Sequence, residues 1–206
     1  MNKTKEDPRR KYEVLYRTAV GLHSLDEIAR IHRLLDSVQP DRILEFGTGG
    51  GMMTSALGEW AMSYPNKTVL SIDRIQGLNM ETMLDLAKMP VITVVGDEYA
   101  RGVRMLMEAF LEPGQPHVTR FVYCDGGNKP QEMRQFSRLL SPGDCIACHD
   151  YERTPEEDKR FYNVNPYTER VYRKQLDSLL ENGFKFVEGE SNIEEGLHVL
   201  PLIKDK

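Results

Sequence analysis

The pattern that most limits what this chain can fold into is an alternation. Short apolar runs at Arg42–Phe46, Thr68–Ile72, Val91–Val95, Arg120–Cys124 and Asp144–Cys148 take turns with helix-period stretches at Met52–Met62, Asn79–Ala87, Tyr99–Leu111 and Pro130–Leu140. Parallel strands cannot be joined by a tight turn, so a helix between each pair is what a parallel sheet requires. The expected architecture is α/β: a mostly parallel sheet with helices on both faces. Phe184–Val187 and Leu197–Ile203 are expected to close it as a C-terminal antiparallel hairpin. Ligands of such sheets sit at the carboxyl ends of the strands. Each of the five runs ends at or beside an acid: Glu45, Asp73, Asp97, Asp125 and Asp150.

Outside the alternation the signals are looser. Residues 1–10 read as an arm, and apolar spacing from Tyr12 to about Val38 predicts N-terminal helices across residues 12–40. Ser24 with Glu27 three residues on forms a capping box, and Pro40 is a stop. Asn165-Pro166 predicts a helix over Tyr167–Glu181, ended by Gly183. The unperiodic stretch Tyr151–Tyr167 reads as a lid, with Arg153, Phe161, Tyr162 and Tyr167 placed to meet a substrate. At 206 residues and 40% hydrophobic, one domain over 1–206 is expected.

Composition removes several classes of function. A net charge of −5 argues against a sequence-independent grip on nucleic acid. No apolar run approaches the roughly 18 residues of a membrane span. Met1–Lys11 is polar, with no signal-like stretch behind it, and the three cysteines suggest no disulfide framework. A cytoplasmic, reduced setting is expected. Cys145 and Cys148 form a C-x-x-C, but three residues apart on a strand they face opposite ways. That is poor geometry for zinc.

Residues 43–51, ILEFGTGGG, carry the most chemistry. Glycines 47, 49 and 51 between a strand and a helix let backbone approach a ligand closely. A dinucleotide brings a pyrophosphate, which a carboxylate beside the loop disfavours. S-adenosylmethionine brings a sulfonium and an amine, which Glu45 favours. The nicotinamide fingerprint also needs glycine at position 52, where this chain has Met52.

With Glu45-x-Gly47-x-Gly49-x-Gly51, then Asp73 in VLSID, then Gly96-Asp97, the chain resembles the class I S-adenosylmethionine-dependent methyltransferases. The resemblance runs from about Leu25 onward and implies a Rossmann-like three-layer sandwich. It implies a ribose-binding role for Asp73 and an adenine-side role for Asp97. The expected cofactor set is Glu45, Gly47, Thr48, Gly49, Gly51, Asp73, Arg74, Gly96, Asp97 and Asp125.

Two further segments, Tyr123–Lys129 (YCDGGNK) and Leu140–Tyr151 (LSPGDCIACHDY), narrow the resemblance. They are similar to the cephalosporin-hydroxylase-like and macrolide-sugar O-methyltransferases, and more distantly to the catechol type, which holds magnesium with strand-end acids. The resemblance implies a small hydroxylated acceptor such as a sugar. It also implies a divalent metal, Mg or Mn, on Asp125, His149 and Asp150, with His149 or Lys129 as catalytic base. Asn128 departs from the pattern. The related group has histidine there and the catechol type lysine, whereas an amide cannot take a proton. A cofactor-binding relative without catalysis is therefore the alternative. A nucleic-acid methyltransferase is disfavoured by the absence of an Asn-Pro-Pro-Tyr-like segment. His23, His32, His117 and His198 show no partner pattern and read as structural or surface residues.

Overall fold

The structure, a computed structural model, describes residues 14–16, 18–21, 23–112, 118–152, 171–187 and 199–205. Its centre is a seven-stranded sheet. Five strands are parallel: β3 (Arg42–Phe46), β4 (Thr68–Asp73), β5 (Val91–Val95), β6 (Arg120–Cys124) and β7 (Cys145–Cys148). A C-terminal pair, β10 (Phe184–Phe186) and β11 (Leu200–Lys204), is antiparallel within itself, and β11 lies antiparallel to β7. The order is β10-β11-β7-β6-β3-β4-β5. The expected mostly parallel sheet with its antiparallel closing pair is what the chain builds.

Alternate residues of each strand feed two separate cores. Ile43, Val69, Phe121, Tyr123, Cys145 and Ala147 pack on one face against α1 (Leu25–Val38) and α2 (Met52–Met62). Leu44, Phe46, Leu70, Ile72, Val122, Cys124, Ile146 and Cys148 pack on the other. There they meet α4 (Arg101–Phe110), α5 (Lys129–Phe136) and α6 (Asp177–Glu181). A short α3 (Met80–Leu86) sits beyond α2. Cys145 and Cys148 fall in different cores, as period-two geometry requires. All three thiols are free and buried.

The helices begin where the chain can satisfy their first N–H groups. Ser24 and Glu27 form the reciprocal capping box of α1, and Gln39 ends that helix in the left-handed region before Pro40. Asn79 caps α3 and Asn128 caps α5 through their side-chain oxygens.

Three expectations change. The helical spacing before residue 24 gives way to a hairpin of β1 (Val14–Tyr16) and β2 (Ala19–Gly21). Its end presses on α2 so closely that a Cβ at Gly21 would lie 2.5 Å from that of Met52. Of the helix expected over Tyr167–Glu181, the described residues 171–181 form only α6. Val171–Tyr172 instead forms a strand, β9, beside β8 (Tyr151–Glu152), with a 3-10 turn between β9 and α6. Burial of Val171 and Tyr151 in the core favours that pairing over a continuous helix. β5, read as buried, is an edge strand with Ile92 51% and Val95 55% exposed. The arm 1–10 and the lid residues Arg153, Phe161, Tyr162 and Tyr167 lie outside the described residues.

Candidate active site

The parallel register sets Phe46 level with Ile72 and Cys124, and Cys124 level with Cys148. The next residues, Gly47, Asp73, Asp125 and His149, therefore emerge side by side at one end of the sheet. Ladder bonds carry on one step past the strands, from Gly47 N to Ile72 O (2.8 Å), Asp125 N to Phe46 O (3.1 Å) and His149 N to Cys124 O (3.1 Å).

On one side is the glycine loop. Gly47 has φ +87°, and a Cβ there would stand 2.3 Å from the Asp125 backbone oxygen, so only glycine serves. Gly51, with φ +86°, opens α2, and its Cβ would strike Leu78 at 2.6 Å. The Asp73 carboxylate accepts from Gly49 N (2.8 Å) and Ile75 N (3.1 Å), tying the loop to the end of β4. Thr48 Oγ1 and Ser71 Oγ share a hydrogen bond of 2.7 Å beneath it.

Glu45 is not open to this loop but sealed under it. It is 0% exposed, and Thr54, in the first turn of α2, donates to its Oε2 at 2.6 Å. Burial pushes its pKa up to about 8. A ligand would feel Glu45 through Thr54 and the loop rather than by contact. Arg74 is likewise engaged, with two hydrogen bonds to Glu98 (2.7 and 3.1 Å). It also stands 3.6 Å from Asp97 and over the Tyr99 ring. Asp97 accepts from Tyr99 N (2.9 Å), while Gly96 leaves room for Val103 of α4.

The other side, at the ends of β6 and β7, is a buried charge cluster. The Lys129 ammonium, 2% exposed, is 3.1 Å from Asp150 Oδ2 and 3.4 Å from Asp125 Oδ1, and it donates to Gly126 O at 3.1 Å. His149 Nδ1 faces the same two carboxylates, 3.2 Å from Asp125 Oδ1 and 3.6 Å from Asp150 Oδ2. Asp150 holds a left-handed backbone, φ +59°, a conformation aspartate adopts more readily than most residues with a side chain.

Two members of the cluster come from the far end of the sequence. His149 Nε2 meets Glu27 Oε1 at 3.2 Å, and His23 Nε2 meets Asp125 Oδ2 at 3.0 Å. The sequence reading missed both. Glu27 was absorbed by its capping role, which it keeps through Ser24 N (2.7 Å), and His23 stands in no motif. Their position just before and within the first turn of α1 is the signal that a strand-end reading overlooks.

The protonation of the cluster follows from these contacts. Burial works against the His149 charge, but Asp125 and then Asp150 outweigh it and hold the imidazole well above its ordinary pKa. The same balance raises Lys129, through Asp125 and Asp150. Asp125 is held well below the usual carboxylate range, by His149 and then Lys129 against burial, and Asp150 is lowered by the same two partners. Lys129 is thus a caged ammonium and not a free base. Asn128 has its own task at the α5 cap, with Oδ1 accepting from Gln131 N at 3.2 Å.

Asp125, His149 and Asp150 bring ligand atoms within 4.8 Å of one another. Two carboxylates and an imidazole suit a divalent ion, and for an ion held there Glu27 behind His149 would be an outer-sphere partner. Lys129 competes for the same oxygens.

No protein-family model and no curated protein sequence matches the chain. Solved structures do. The apo form of CmcI is 17% identical with a TM-score of 0.62, over 94% of this chain and 76% of CmcI. CmcI with magnesium and SAM is 18% identical with a TM-score of 0.61, over 92% and 76%. The O-methyltransferase TomG of Streptomyces achromogenes, in complex with SAM, is 18% identical with a TM-score of 0.55, over 89% and 82%. The fold is therefore the one these structures share, a Rossmann-like sandwich. Among the described residues, no helix is long and apolar enough to cross a membrane.

Proposed function

We propose that this chain is an S-adenosylmethionine-dependent O-methyltransferase acting on a small hydroxylated molecule, with sugars the first acceptors to try. One observation carries the reading: Gly47 of the glycine loop lies directly against the backbone of Asp125, so the loop and the charge cluster share a wall. A cofactor on the loop would present its methyl group toward the cluster. That TomG and CmcI, of the same fold, are solved with SAM supports the choice of cofactor.

Transfer breaks the S–CH3 bond, forms O–CH3 in line with it, and leaves the hydroxyl proton to a side chain. His149 is the residue that fits. It can take the proton only when neutral, and its carboxylate partners hold it protonated, so turnover should rise with pH through neutrality. Lys129 keeps Asp125 and Asp150 ionised and fixed in place. A divalent ion, where bound by Asp125, His149 Nδ1 and Asp150, would occupy the imidazole and stand in for it as activator, supplying Lewis acidity that lets the acceptor hydroxyl lose its proton to solvent.

The test is transfer of labelled methyl from S-adenosylmethionine to a panel of sugars, catechols and RNA. Incorporation into a small hydroxylated acceptor, and none into RNA, is expected. The second reading, a cofactor-binding protein without transfer, rests on the lack of a neutral base in the resting cluster. Tight cofactor binding with no incorporation into any acceptor would favour it.

A further inference from the structure

We propose that His23, Glu27 and His149 form a site for one divalent transition-metal ion of the zinc or cobalt kind, distinct in its donors from the strand-end acids. Each of the three residues has one polar atom already held by the protein. His23 Nε2 is at Asp125 Oδ2 (3.0 Å), Glu27 Oε2 accepts from Ser24 N (2.7 Å), and His149 Nδ1 is at Asp125 Oδ1 (3.2 Å). Holding one end of each side chain leaves the other as the ligand atom. His149 Nε2 and Glu27 Oε1 are 3.2 Å apart. Bonds of about 2.0–2.1 Å in a tetrahedral site space their ligands by roughly 3.3 Å, so this pair already stands at coordination distance.

His23 supplies the third donor. Its side chain is 8% exposed, and its Nδ1 is buried with no partner among the described residues. An imidazole with one nitrogen on a carboxylate and the other buried and unsatisfied has the donor arrangement of a metal-binding histidine. One ligand atom from each of the three residues lies within 4.8 Å of the others, and His23 and His149 pack edge to face with ring centroids 4.5 Å apart. Two imidazoles and one carboxylate are a zinc-type donor set with a fourth position open, and they are poor ligands for magnesium, which prefers oxygen.

Loading the ion displaces the proton from His149 Nε2 to solvent, while Nδ1–H goes on donating to Asp125. The strand-end acids then keep Lys129 as their cation. With Nε2 on the ion and Nδ1–H on Asp125, His149 has no nitrogen free to act as a base, so a chain loaded at this site should not transfer methyl groups.

The test titrates Zn2+ and Co2+ into the full chain by calorimetry, with Co2+ also followed by its visible absorption. One ion per chain is expected. His23→Gln and Glu27→Gln should each weaken it about 10–100-fold, while Asp150→Asn leaves it within about threefold. Glutamine at position 27 retains the capping contact. Loss of the ion in Asp150→Asn with no loss in His23→Gln would move it to the strand-end acids and overturn the proposal. So would failure of both ions to bind a folded chain. Should a variant not fold, X-ray absorption of the zinc-loaded wild type decides: two imidazole ligands support the site, and one or none overturns it. Binding of S-adenosylhomocysteine to the same samples reports the methyltransferase reading separately.

Discussion

The two halves of the site are built in opposite ways. The glycine loop is consecutive chain, residues 45–51, and works through backbone: three positive-φ glycines, a helix start and one carboxylate holding Gly49 N. The charge cluster is side chains drawn from three places in the sequence, residues 23–27, 125–129 and 149–150, and works through electrostatics. Steric demand governs the first half and charge balance the second. Changes in the loop should therefore act on folding and cofactor binding, and changes in the cluster on turnover.

The largest effect is expected from Gly47→Ala. A Cβ cannot share space with the Asp125 carbonyl at 2.3 Å, and φ +87° is itself unfavourable for alanine. Destabilisation of about 3 kcal/mol and loss of cofactor binding should follow, read by thermal melting and calorimetry. A variant that melts and binds like the wild type would show that the loop and the cluster do not touch.

His149→Ala should break the other half alone. Turnover is expected to fall by about 10²–10⁴, the usual contribution of a general base, with affinity for S-adenosylhomocysteine within about threefold. In the wild type, activity should climb with pH, because Asp125 and Asp150 hold the His149 imidazole well above its ordinary pKa. A flat pH profile would remove His149 as the base.

How much of this was legible beforehand follows the same division. β3, β5, β6 and α2 were readable to the residue, because short apolar runs and glycine punctuation are local signals. Asp73, Asp125, His149 and Asp150 were legible as strand ends. His23 and Glu27 were not, since their role arises only when α1 packs over β6 and β7, a contact no spacing encodes. The burial of Glu45 was also hidden. An acid before a glycine loop reads as exposed, and only the α2 turn carrying Thr54 shows it covered. The edge position of β5 escaped for a related reason: five apolar residues look the same at the rim of a sheet as at its centre.

Glu45 offers a smaller effect that sharpens the contrast, because it is an ionisable residue on the steric side. Its pKa is raised in the folded chain to about 8 from 4.5, so the folded state binds the extra proton. That stabilisation is complete below the unfolded pKa and is lost as pH rises toward about 8. Glu45→Gln removes the dependence. Its stability advantage over the wild type should widen by about 3 kcal/mol between roughly pH 5 and 8, measured by urea unfolding. A constant difference would mean that the carboxyl is not sealed. The smallest effect is expected from Asp73→Ala: cofactor affinity about tenfold weaker, with the pH dependence of turnover unchanged. Unaltered affinity would take Asp73 out of the cofactor site.

The most direct measurement is a calorimetric titration of S-adenosylhomocysteine into the purified chain, with NAD as the control. The loop and cluster described here should bind the homocysteine compound with a Kd of about a micromolar and give no heat with NAD. Binding of NAD in its place, or of neither compound, would contradict the cofactor assignment on which the proposed methyl transfer depends.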